Sequence, residues 1–205
     1  MNTETQSTPQ SFFRRWLLAT FGGWMLGVVI IILLAEALES VHLGEQFPIG
    51  IGMGLGIGFG QWRVARKWFA ANSQWMWATL VGIGIPFLLS DVFGIWAERS
   101  MVVLILVNVA VGGLIVGIWQ RRILQPHSVK PNLWIPACII GWMLAAAAPL
   151  LLLVGGHPKS SLALWRNIGA IALGGVVLGV VTAGALVWLL QPSKTNSTAA
   201  PPTNA

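Results

Sequence analysis

Five polar residues stand within or at the ends of long apolar runs: Gln61, Asp91, Asn108, Gln120 and Thr182. Two kinds of chemistry are open to them. One is a hydrogen bond to a neighbouring helix, which contributes about 0.6 kcal/mol in a membrane. The other is a place along a path for an ion, a proton or a small solute. Asn108 lies nine residues into the run 100–119. That is about 13 Å from one end, the nearest of the five to a bilayer midplane. Asp91 follows Trp75 by sixteen residues and falls near an end, about 24 Å on. With Glu36 and Glu39 it reads as a solvated helix end, the sharper alternative being the mouth of a cation or proton path. Gln61 and Gln120 are each followed within two residues by Arg and stand beside Trp62 and Trp119. A bond to a neighbouring helix explains them with less than a headgroup- or pigment-contacting ring does.

Catalytic chemistry finds little support. His42, His127 and His157 fall in connections, away from any Cys, Asp or Glu at ligand spacing, so no metal site is expected. No nucleophile has a base at a recognisable offset. The alternating glycines fit neither a P-loop nor a dinucleotide fingerprint, which need a preceding strand and a following Lys or acid. The lone Cys138 lies in an apolar run and forms no intrachain disulfide. The expectation is a non-enzyme with no catalytic residues and no cofactor.

The elements that hold these residues are written in glycine. In IGIGMGLGIGFGQWR, residues 49–63, a glycine falls at every second position from Gly50 to Gly60. At about 100° per residue, Gly52, Gly56 and Gly60 form one stripe of a helix, and Gly50, Gly54 and Gly58 another on nearly the opposite side. In water, six glycines at about 1 kcal/mol each would dissolve that helix. In a bilayer the backbone has no alternative partner, and small residues four apart let helices approach.

Composition agrees: 56% of residues are hydrophobic and 9% charged, against about 25% charged in soluble domains. The net charge of +6 is scattered in short clusters between apolar runs, which excludes a nucleic-acid face. Runs at 16–36, 75–94, 100–119, 133–154 and 167–190 are long enough to span, and a shorter one at 47–62 is flanked by acids before and bases after. Trp16 to Ala35, 20 residues, exceeds the roughly 7–15 of a signal h-region, so the first run is read as a mature helix. Ser11 is the expected N-cap of that helix, after a disordered tail over 1–10; a second tail covers 191–205. The fold class is therefore all-α, a bundle of six transmembrane helices. Nine of the twelve Lys and Arg residues lie in the two tails and in the connections near 63–73 and 121–132, which places both termini in the cytoplasm.

The chain also resembles itself at a period of 59: Trp16, Trp75 and Trp134; Ala19, Ala78 and Ala137; Gly23, Gly82 and Gly141. Gly54, Gly58 and Gln61 match Gly113, Gly117 and Gln120 at 59, then Gly175, Gly179 and Thr182 after a three-residue lengthening. A helical hairpin used three times in one orientation is expected, with an interfacial Trp opening each odd helix. The simplest packing puts helices 2, 4 and 6 inside and the odd helices outside.

GLGIGFGQWR followed by WMWATLVG resembles the repeated hairpins of uncharacterised multi-pass membrane proteins of cyanobacteria and related photosynthetic or filamentous bacteria. The resemblance covers 16–190, its third copy departs in having Thr182 for Gln, and it carries no activity to any residue. It implies the inner (plasma) membrane, or a thylakoid if the source is a cyanobacterium. The expected partners are the lipid bilayer and other membrane proteins or further copies of the chain, without nucleic acid. The leading functional expectation is a scaffold, assembly factor or accessory subunit; the alternative is a small channel or transporter with its path between hairpins.

Overall fold

Where water is absent, an apolar run must bond its own N–H and C=O groups, and the helix is the segment that does so alone. The computed structural model describes residues 8–38, 46–94, 100–154 and 161–190. Among them are six α-helices and no strand: α1 (Pro9–Leu38), α2 (Phe47–Phe69), α3 (Gln74–Val92), α4 (Met101–Leu124), α5 (Trp134–Val154) and α6 (Ser161–Leu189). Two short 3-10 turns, Gln125–His127 and Pro131–Leu133, join α4 to α5. The expected tails, Glu39, His42, His157 and the three cations Arg99, Lys159 and Lys194 lie wholly or mainly outside the described residues.

Five of the six helices are long and apolar enough to cross a membrane. The exception is α2, whose 23 residues reach about 35 Å but whose apolar character is diluted by glycine. Val103, Val107, Val111, Leu114 and Ile118 form an exposed stripe along α4, a surface that suits lipid and not water. These are the features of a multi-pass helical membrane protein.

Helix ends depart from the apolar runs for local reasons. Ser11 does not cap α1. Thr8 does, its carbonyl and Oγ1 accepting the Ser11 N–H at 2.9 and 3.4 Å, with Pro9 at the first helical position where a missing N–H costs nothing. The start of α1 thus lies within the stretch expected to be a tail. α2 runs past residue 62 because Ala65 and Phe69 continue its buried face. It stops at Ala70, left-handed at φ 50°, whose N–H bonds Ala65 O.

The packing follows chain order. Each helix lies against its neighbours in sequence, and α6 returns to α1, closing a ring. The expectation of even helices inside and odd helices outside is therefore corrected. α2 shows why. A Cβ on Gly54 would stand 2.8 Å from Leu80 Cα of α3 and one on Gly52 2.8 Å from Gly27 O of α1, while Gly56 meets Gly23 and Gly27, Gly60 meets Ala19, and Gly58 meets Met76. Both smooth faces of α2 are taken by its two chain neighbours, so it forms part of a wall. Further round, Gly113 and Gly117 meet Ile139 and Ile135 of α5, Gly175 receives the Trp24 indole, and Gly179 meets Leu17.

Candidate functional site

Trp16, Trp75 and Trp134 are fully buried, not placed at a lipid interface as their positions at the starts of apolar runs implied. Their ring centroids stand 5.7 Å (Trp16 to Trp75) and 5.9 Å (Trp75 to Trp134) apart. An indole is buried without loss only if its N–H finds an acceptor, and each does. Trp75 Nε1 donates to Gln61 Oε1 at 3.4 Å, Trp134 Nε1 to Gln120 Oε1 at 3.1 Å, and Trp16 Nε1 to Thr182 Oγ1 at 3.0 Å. The acceptors come from α2, α4 and α6, the donors from α3, α5 and α1.

Each Gln uses its amide on a second helix. Gln61 Nε2 donates to Thr20 Oγ1 at 3.4 Å and Gln120 Nε2 to Thr79 Oγ1 at 2.9 Å. Thr20 and Thr79 went unremarked in the sequence, though a signal was there: both sit four residues after a Trp and are spaced 59 apart. The next position in that register is Cys138, a poor acceptor. The Gln position of that copy is Thr182, which has no amide to donate and whose hydroxyl bonds Leu178 O at 2.6 Å. The three acceptors and their partners thus form a buried polar belt that satisfies itself.

Asn108 and Asp91 belong elsewhere. Asn108 is buried and accepts from Ser90 Oγ at 3.0 Å, linking α3 to α4, while its Nδ2 has no acceptor among the described residues. Asp91 is not a solvated helix end. Its carboxylate accepts the N–H groups of Gln46 at 3.1 Å and Phe47 at 2.6 Å, so it caps α2 from across an interface, where a negative charge meets the positive end of the helix dipole. Glu36 is exposed. The five residues thus fall into two groups, with Asn108 and Gln120 about 18 Å apart along α4 and only Val109, Gly112, Gly113, Val116 and Gly117 buried between them.

A well-formed recess lies on the outside of the ring. It is a groove of about 660 Å³ between α1 and α2, with an apolar floor and Arg15, Arg63 and Lys67 at one end. A second recess, about 480 Å³, is formed by the α2–α3 turn with the end of α4, including Arg122 and His127. Among the described residues no three His, Cys, Asp or Glu side chains converge as metal ligands would.

The fold and these features define a class: an all-helical, multi-pass membrane protein, over the described residues, with a belt of buried Trp, Gln and Thr side chains that bond one another. No family model, no curated protein and no solved structure matches the chain.

Proposed function

We propose that this protein crosses the bilayer six times with both termini in the cytoplasm, and that it works without catalysis, associating with other membrane proteins or lipids as a scaffold, assembly factor or accessory subunit. The observation that carries this reading is the state of the polar residues. Gln61, Gln120, Thr182 and Asn108 are each bonded inside the bundle, the two groups are separated by an apolar stretch, and the groove between α1 and α2 opens outward.

The spans are proposed to form three hairpins of one kind, arranged in a cycle. Supporting this, Gly58 meets Met76, Gly117 meets Ile135 and Gly179 meets Leu17. Each partner follows a Trp of the 59-residue register by one position. α2 counts as a span on this reading because it lies along α1 from Gly27 to Ala19 and along α3 at the same time. Arg63, Arg66, Lys67, Arg121 and Arg122 then lie on the cytoplasmic side with Arg14 and Arg15, as the positive-inside rule requires.

A small channel or transporter is the second reading, favoured by the Asn108 Nδ2 group, which lacks an acceptor among the described residues. The deciding experiment is the native mass of the tagged protein after gentle extraction from its host membrane, with flux measured on the purified protein in vesicles. A discrete larger complex with fixed partners and no flux supports association. A lone small species that carries ions or solutes across vesicles overturns it.

A further inference from the structure

Along the closest approach of α1 to α2, Gly60 faces Ala19 and Gly56 faces Gly23. Gly22, one residue away and rotated about 100° from that contact, is different: nothing lies within 4 Å of the position its Cβ would take. The backbones touch beside it, and the missing side chains leave a trough on the outer surface. Leu18, Leu26 and Phe59 form its walls. From Leu18 to Leu26 it extends about 12 Å along the bundle.

The trough has a charged end. Arg15 of α1 and Arg63 and Lys67 of α2 all line it, and Arg63 is drawn over the Phe59 wall, its guanidinium carbon 5.9 Å from that ring centroid. Among the described residues no carboxylate lies there to neutralise them. Glu36 is about 32 Å away along α1, and Asp91 binds the opposite end of α2. An apolar trough facing hydrocarbon is filled by hydrocarbon, and three cations at its end call for an anion bearing several acceptor oxygens.

We propose that the α1–α2 groove is a binding site for an anionic phospholipid, with an acyl chain over Gly22 and the phosphodiester held by Arg15, Arg63 and Lys67. This rests on the bundle lying in a bilayer, and it names a lipid for the association proposed above. Charge complementarity selects the occupant: the described lining of the groove carries three cations and no carboxylate, and a phosphodiester joined to an acyl chain matches both its charged end and its apolar length.

The test uses the full-length protein in detergent, titrated with dioleoylphosphatidylglycerol or dioleoylphosphatidylcholine and followed by native mass spectrometry. The wild type is expected to retain one phosphatidylglycerol about a hundredfold more tightly than phosphatidylcholine, the factor that three cations near a membrane surface supply. Arg15→Gln, Arg63→Gln and Lys67→Gln together should bring the two lipids to parity. Gly22→Leu, whose Cβ enters open space and whose side chain fills the trough, should reduce retention of both lipids. Unfolding of each variant is monitored through Cys138 labelling, so that a lost lipid is not mistaken for a lost fold.

Unchanged lipid retention in Gly22→Leu, or an unchanged preference in the triple variant, overturns the assignment. So does a change in native mass by one protein copy in Gly22→Leu, which would make the groove an interface between chains. Loss of the lipid site would leave a partner complex intact, whereas flux through an uncomplexed protein would refute association and leave the lipid measurement standing.

Discussion

Gln120 offers the sharpest test of the buried belt. It is fully buried, accepts from Trp134 Nε1 at 3.1 Å and donates to Thr79 Oγ1 at 2.9 Å. Leucine in its place fills a similar volume and makes neither bond. Thr79 keeps its bond to Trp75 O at 3.1 Å, so its hydroxyl stays satisfied, whereas the Trp134 N–H is left bare. The two shorter of its three interhelical bonds, at about 0.6 kcal/mol each, and about 1 kcal/mol for a buried donor without a partner, give a destabilisation of about 2 kcal/mol for Gln120→Leu. Trp134→Phe removes the other member of the pair. A double-mutant cycle should then give a coupling of about 0.6–1.7 kcal/mol. The chain supplies its own reporter, because Cys138 is its one thiol and is buried: a thiol-reactive dye labels it only as the bundle opens. At about 2–4 °C per kcal/mol for a chain of this size, Gln120→Leu should lower the midpoint by about 4–8 °C. A shift under about 2 °C, or a coupling indistinguishable from zero, would refute the claim that these bonds hold the ring.

Asp91→Ala, which leaves the N-terminal N–H groups of α2 without their acceptor, should destabilise by about 1–2 kcal/mol in the same thermal assay, and Asp91→Asn by less, since an oxygen remains. Gly56→Leu and Gly60→Leu, each forcing a side chain into the backbone of α1, should abolish accumulation of folded protein, while Gly184→Leu, with open space around it, should be tolerated; equal yields of all three would contradict the packing. Asn108→Leu should cost about 0.6 kcal/mol through the lost Ser90 bond; a vesicle flux present in the wild type and abolished in this variant would instead place Asn108 on a path.

Much of the packing was legible because glycine has a single physical meaning at this spacing. Six glycines two apart can only make two smooth faces, and α2 is pressed on both. The identity of the neighbours was not legible: spacing says which positions are equivalent, and ring closure between α1 and α6 is a property of the whole chain. The tryptophans were misplaced for a chemical reason. An indole at the start of an apolar run suits the headgroup region, and only its pairing with a Gln or Thr on the adjacent helix makes burial possible. Asp91 was misread because capping is normally sought one residue before a helix, whereas this cap reaches the α2 start from 45 positions away in sequence. The groove cations read as topology signals with a general attraction to anionic lipid, and nothing in their spacing says that Arg15 lies across a trough from Arg63 and Lys67.

The bond between Trp16 and Thr182 joins residues 166 positions apart and closes the one edge of the ring that no connecting loop spans. Synthesis order makes it the last to form: α1 enters the membrane long before α6 exists, and until then the growing assembly is an open arc with two unmatched flanks. The Trp16 N–H and the α1 surface facing Gly179 wait for the final helix. A chain stopped short of α6 is therefore a distinct species with a bare edge, the form that membrane quality control or an insertion factor would meet. Conversely, a covalent bridge from residue 190 to residue 8 would turn this seam into an ordinary looped edge, and new termini opened in any other connection should then assemble into the same ring.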